Sequence, residues 1–163
     1  MTRTLRHTWI VNARRNDEGW EHRWRTEGFD EVEDLLEVAF RCSNGFFSGQ
    51  AEIYASRDVL SKLAKTLSGF PSRPDDSRDF ELGTFNPKHA DGGARLHFYC
   101  SDAAGHAVVE IKLRGGASNG LGEVESVALR IPIQAAAVDS FIRQLIVFGK
   151  TMGASAFLPQ ATS

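Results

Sequence analysis

Alternation on either side of Asn44-Gly45 is the feature that most constrains this chain. From Leu35 to Ala55 apolar and polar residues interleave with the two-residue period of a strand that buries one face. Asn-Gly offers two adjacent positive-φ positions, which a type I′ turn requires, so the segment predicts a tight β-hairpin. With Ser43 opposite Phe46, one face pairs Leu36/Ile53, Val38/Ala51, Phe40/Gly49 and Cys42/Phe47. The other pairs Glu37/Glu52, Ala39/Gln50 and Arg41/Ser48. Such a split belongs to antiparallel sheet with one face on a core and one in water.

The rest of the chain reads in the same terms. Thr8–Ala13 and Trp20–Thr26 flank the turn-rich Asn16-Asp17-Glu18-Gly19 and predict an N-terminal hairpin. Ser56 is an expected N-cap, and Val59, Leu60, Leu63, Ala64 and Leu67 follow at helical spacing up to Gly69 and Pro71. Ser72–Gly93 is rich in Pro, Asp and Gly and is expected to be a long loop, with a short strand near Phe80–Phe85. Ala94–Ser101 and His106–Arg114 form a third expected hairpin, with Ser101 opposite His106. A strand over Glu123–Ile133 then places Leu129 beside Val109, with Gly115–Gly122 as the connecting loop. A second helix from Gln134 to about Gly149 carries Val138, Phe141, Ile142, Leu145 and Phe148 on one stripe. Met152–Ser163 reads as a tail.

A chain of 163 residues can bury an ordinary core without metal or disulfides, and it is read as one domain, 1–163, with 1–30 as a Trp/Arg-rich hairpin extension and 150–163 as the tail. A net charge of −2 gives no global attraction to nucleic acid or to an anionic membrane surface. The N-terminus has no apolar signal-type run and no stretch reaches membrane-spanning length, so the expected location is cytoplasmic. Cys42 and Cys100 both fall on expected inward faces and are read as reduced, buried thiols. Charge is uneven: Met1–Thr26 holds six arginines against three acids, and Glu27–Glu37 holds six acids and no base.

The third hairpin defines an outer face carrying the candidate site. Arg95 lies opposite Lys112, His97 opposite Glu110, and Tyr99 opposite Val108. Arg130 is expected opposite Val108, diagonal to Glu110. His97 with Glu110 has the composition of an oriented general base, although an exposed ion pair accounts for it more simply. Arg95 against Lys112 is a like-charge pair, which splaying into water or an anionic partner would relieve. The five histidines show no metal-ligand spacing, and no cofactor set is visible. Gly115-Gly116-Ala117-Ser118-Asn119-Gly120 precedes a strand, not a helix, so a phosphate cradle is not expected there. The tryptophan- and arginine-bearing N-terminal hairpin has the chemistry to stack on single-stranded nucleic acid, opposed by the acidic block beside it.

The residues Gly45-Phe46-Phe47-Ser48-Gly49, Asp58-Val59-Leu60-Ser61-Lys62-Leu63 and Gly105-His106-Ala107-Val108-Val109-Glu110 come in sequence, followed by a closing strand and helix with Phe141 and Leu145. This order resembles bacterial domains of unknown function, some of them related to small cytoplasmic immunity proteins that neutralise contact-dependent or secreted toxins. The resemblance runs from Leu35 to Phe148 and carries over no catalytic residue. The expected fold is α+β: a single antiparallel sheet built from hairpins with two amphipathic helices on one face. The expected function is non-enzymatic binding of another protein, which the resemblance implies is a toxin, through Arg95, His97, Tyr99, Glu110, Lys112 and Arg130. The alternatives are a small-molecule or enzymatic pocket between the 72–93 loop and the sheet, and single-stranded nucleic-acid binding by the N-terminal hairpin. No membrane partner is expected, and self-association is left open.

Overall fold

The computed structural model of the protein describes residues 8–15, 35–56, 58–86, 92–116, 124–148 and 155–161, with backbone alone over 8–15 and at Leu35. Its elements are β1 (Thr8–Arg15), β2 (Leu35–Ser43), β3 (Ser48–Ser56), α1 (Val59–Leu67), β4 (Ser77–Gly83), β5 (Gly93–Cys100), β6 (Ala107–Arg114), β7 (Ser126–Ile133), α2 (Ala135–Phe148) and β8 (Ser155–Pro159). The α+β class and the antiparallel pairing are as expected. The single sheet is not: the strands form two four-stranded sheets, ordered β3-β2-β1-β8 and β4-β5-β6-β7.

The two sheets share one core. Val38, Phe40 and Ile53 from the first meet Leu96, Phe98, Val109, Ile111 and Ile131 from the second in a continuous buried cluster with Leu63, Leu67, Phe141 and Leu145 of the helices. Strand β3 crosses the ends of the second sheet. A Cβ on Gly49 would lie 2.4 Å from Val127 at the start of β7, Gly92 packs on Ala51 and the Glu52 carbonyl just before β5, and Gly83 at the end of β4 touches Ile53. Three glycines therefore stand where the backbone of one sheet passes against the other, a close approach that a side chain would block.

Local chemistry explains most of the elements. In α1, Val59, Leu60, Leu63, Ala64 and Leu67 are all buried, as their spacing predicts. Asp58, not Ser56, flanks the helix start: its carboxylate pairs with Lys62 at 2.7 Å and accepts the Ser56 hydroxyl at 2.6 Å. Gly69, with φ of 71°, turns the chain after the helix. In α2, Val138, Phe141, Leu145 and Phe148 are buried and Ile142 is half-buried. Among the described residues no helix is long and apolar enough to cross a membrane.

Two registers differ from expectation by two residues. In the β2–β3 hairpin Ser43 pairs with Ser48, so Leu36 faces Ala55 and Val38 faces Ile53. The reason lies in Asn44. Its Oδ1 accepts the amides of Phe46 (3.1 Å) and Phe47 (3.0 Å), and its own amide donates to the Phe47 carbonyl, closing a four-residue loop. Gly45 takes positive φ, 92°, within this four-residue loop, and with Ser43 paired to Ser48 a two-residue type I′ turn does not form. Phe47 is consequently exposed beside Phe46 at the tip, and Glu37 faces Tyr54 where Glu52 was expected. On the β6–β7 side Ile111 faces Leu129 and Val109 faces Ile131, a register extended by the Gly115 amide on the Glu125 carbonyl. An even shift leaves every side chain that stays within the strands on its expected face, so the core assignment holds except for Phe47, which moves from the inner face to the exposed tip.

Two segments hold more strand than expected. The short strand expected near Phe80–Phe85 is Ser77–Gly83, β4, which starts three residues earlier and pairs with β5 along its whole length. Ser155–Pro159, inside the expected tail, is β8 and pairs with β1. Strand β1 has β2 and β8 as its neighbours, so Thr8–Arg15 is an interior strand and not a hairpin extension. Trp20–Thr26, its expected partner, lies outside the described residues, as do the 16–19 turn and most of the 115–122 loop.

Candidate functional site

The second sheet turns Leu82, Ala94, Leu96, Phe98, Val109, Ile111, Leu113, Leu129 and Ile131 inward. The period-two alternation then puts the remaining positions on one outer face, where three cross-strand rows precede a fourth at Gly83–Gly93–Arg114–Ser126. The first is Ser77–Tyr99–Val108–Pro132, the second Asp79–His97–Glu110–Arg130, and the third Glu81–Arg95–Lys112–Ala128. All six residues singled out from the sequence lie on this face. The β5–β6 register places Arg95, His97, Tyr99, Glu110 and Lys112 as expected. Arg130 stands directly opposite Glu110, not Val108, because of the two-residue shift in β7.

The new strand β4 changes the electrostatics. Asp79 accepts from His97 Nδ1 at 2.8 Å, and Glu81 accepts from Arg95 Nε at 2.5 Å. The His97–Glu110 general-base pair therefore does not form. Glu110 is taken up by Arg130 Nε at 3.2 Å and Lys112 Nζ at 3.5 Å, and chiefly the Arg130 bond holds its carboxyl below the usual range. The Arg95/Lys112 repulsion is relieved within the protein: Arg95 pairs with Glu81 and Lys112 shares Glu110 with Arg130, and the Arg95 guanidinium also lies 4.2 Å over the Phe85 ring. Three acids thus balance Arg95, Lys112 and Arg130 on the face. His97 stacks on Tyr99 with centroids 5.1 Å apart.

Ser77 and Tyr99 carry the hydroxyls of these rows, and among the described residues no hydrogen bond joins Ser77 to the His97 ring. Asp79, Glu81, Arg95, His97, Glu110 and Lys112 rim a shallow open basin of about 540 Å³, floored by the strands at Phe80 and Leu96. The 72–93 segment contributes to it as strand β4 of the sheet, so the basin lies on the sheet face and not between that segment and the sheet. Among the described residues no group of three or more His, Cys, Asp or Glu side chains is placed to hold a metal ion.

Both cysteines are free. Burial pushes the Cys42 thiol up to about 11, and desolvation also raises Cys100, whose Sγ lies 3.7 Å from the Arg73 carbonyl. Neither has the lowered pKa of a nucleophile. A second cleft, about 400 Å³, lies where the end of β3 nears β4, between Tyr54, Ser56, Glu81 and Thr84. The roles of Asp79 and Glu81 were not read from the sequence. Alternation over Ser77–Gly83 was the available signal, masked by the Pro74-Asp75-Asp76 cluster before it.

Neither a protein-family model, nor a curated protein, nor a solved structure matches this chain.

Proposed function

We propose that this protein is a non-enzymatic binding domain for another protein, of the immunity type that blocks a toxin by covering it. The observation that carries this reading is the outer face of the second sheet. Arg95, His97, Tyr99 and Arg130 stand together on it, with Arg95, His97 and Arg130 each bonded to a neighbouring carboxylate and Tyr99 stacked on His97. Tyr and Arg are the side chains enriched at binding hot spots. Pre-paired charges lower the desolvation cost of docking, because a partner displaces water from pairs and not from isolated ions.

The size of the face bears on the mode of binding. Four strands about 4.8 Å apart, with about 3.3 Å per residue over eight residues, span roughly 500 Å². A standard interface takes about 800 Å² from each partner, so the contact in this reading extends beyond the face onto an adjoining surface.

The test is capture of a partner from the lysate of the source cells by the purified protein, compared with the Tyr99→Ala/Arg95→Glu double variant. Weakened capture with near-normal thermal stability supports this face as the site. Undiminished capture removes the face from consideration. Turnover of a small molecule that His97→Ala abolishes would overturn the non-enzymatic reading and favour the basin as an active site.

A further inference from the structure

We infer that the open edge of β4 is a strand-acceptor site for an extended peptide with lysine or arginine at alternate positions. The inference rests on the protein-binding reading above and names the chemistry of the partner.

The ladder shows which backbone groups are open. The Thr84 amide donates to the Gly92 carbonyl, so Thr84 and Gly92 form a bonded pair in the β4–β5 register. Antiparallel pairing alternates bonded and non-bonded pairs. Leu82, Phe80 and Arg78 therefore bond to β5, and the N–H and C=O groups of Ser77, Asp79, Glu81 and Gly83 point away from it. Among the described residues no strand pairs with that side of β4.

The other sheet borders are each engaged at particular points. On β7, Pro132 takes an outward-facing position, where its missing N–H costs nothing, and its carbonyl accepts the Ala161 amide at 2.8 Å. Ile133 bridges Gln160 just past β8. On β8, the Gln144 side chain of α2 bonds both the amide and the carbonyl of Phe157. Strand β3 crosses the ends of the second sheet.

The side chains of β4 select the occupant. A second copy is disfavoured. Two-fold pairing centred on Phe80 sets Asp79 against Glu81 of the other copy, and centring on Asp79 or Glu81 sets that acid against itself. Like charges directly opposite are destabilising, and edge charges are a recognised guard against self-pairing. The same two acids attract a strand with cations two residues apart. Asp79 is 80% exposed and engages His97 through Oδ1, while Glu81 engages Arg95 through Oε2, so each keeps its second oxygen for an incoming cation. Between them half-buried Phe80 faces the other way, onto the core, and offers a rim for an apolar side chain at the intervening position. Backbone bonds supply affinity and the alternate side chains supply selectivity, as in other strand-addition sites.

The experiment uses the full ¹⁵N-labelled chain and two blocked heptapeptides, Thr-Lys-Val-Lys-Val-Lys-Thr and its charge-reversed form Thr-Glu-Val-Glu-Val-Glu-Thr. With the lysine peptide at ten times its Kd, hydrogen exchange at the Asp79 and Glu81 amides is expected to slow about tenfold. The glutamate peptide is expected to leave them unchanged, and the exposed double variant Asp79→Lys/Glu81→Lys to reverse the preference. No slowing with the lysine peptide, or equal slowing with both, overturns the inference and leaves the acids as guards of the edge. Slowing that rises with protein concentration alone assigns the edge to a second copy and also overturns it. Capture through Tyr99 and Arg95 is read in a separate experiment, so the peptide result can fail while the protein-binding reading stands.

Discussion

Arg78 grips Asp76 with two hydrogen bonds, Nε to Oδ1 and Nη2 to Oδ2, both at 2.7 Å. Its remaining nitrogen donates to the carbonyls of Thr66 (2.7 Å) and Ser68 (3.2 Å) at the end of α1. Asp76 in turn accepts the Ser72 amide and hydroxyl. One planar guanidinium thus ties the carbonyl end of a helix, where partial negative charge collects, to the start of β4. The clasp holds in place the strand that supplies Asp79 and Glu81 to the outer face.

The clasp predicts an acid-sensitive component of stability. Foremost the Arg78 bonds hold the Asp76 carboxyl far below the ordinary carboxylate range. A depressed folded-state pKa stabilises at pH values above the unfolded pKa, about 3.9 for Asp, and the contribution is lost as pH falls below that toward the folded value. Asp76→Asn should therefore lose about 2 kcal/mol at neutral pH, the scale of hydrogen bonds to a charged group. Its urea stability should also fall less steeply than the parent's below about pH 4. Parallel pH curves for the two proteins would remove Asp76 as the cause.

The crossing of the sheets predicts a size switch. Gly49→Ala places a methyl 2.4 Å from Val127 Cγ1, on a stiff β-branched side chain, with Leu113 Cδ1 3.4 Å away. Overpacking of this kind costs about 1–3 kcal/mol. Val127→Ala opens the space, so the double variant should recover part of the loss in urea titration. Strictly additive losses would contradict the crossing contact.

Gln144 stands in for a neighbouring strand on β8. Its side-chain amide accepts the Phe157 N–H at 2.9 Å and donates to the Phe157 carbonyl at 3.3 Å. Gln144→Leu keeps the volume and leaves both backbone groups unbonded, at an expected cost of about 1–3 kcal/mol. Hydrogen exchange at the Phe157 amide should accelerate more than at Phe141 in the middle of α2. Equal acceleration at the two sites would mean global destabilisation and would discount the edge role.

By itself the sequence determined which residues face inward and which outward, because that depends on a local period. Val38, Phe40, Ile53, Leu63, Phe98, Ile111 and Phe141 were all legible as core. The β5–β6 register was legible too, since a short turn leaves few ways to pair its own strands, and it carried five of the six candidate residues correctly onto one face. Tertiary structure decided what local pattern cannot encode. The choice of β1 as neighbour to β2 and β8 joins segments far apart in the chain, and the alternation of Ser155–Pro159 does not name its partner. The splitting of one expected sheet into two follows from the same non-local choice. So does the identity of the acids on the outer face: His97 meets Asp79, and not Glu110, because β4 lies beside β5. Pairing between distant strands is settled by the packing of whole sheets on a shared core, where a pair such as Gly49 and Val127 selects the fit.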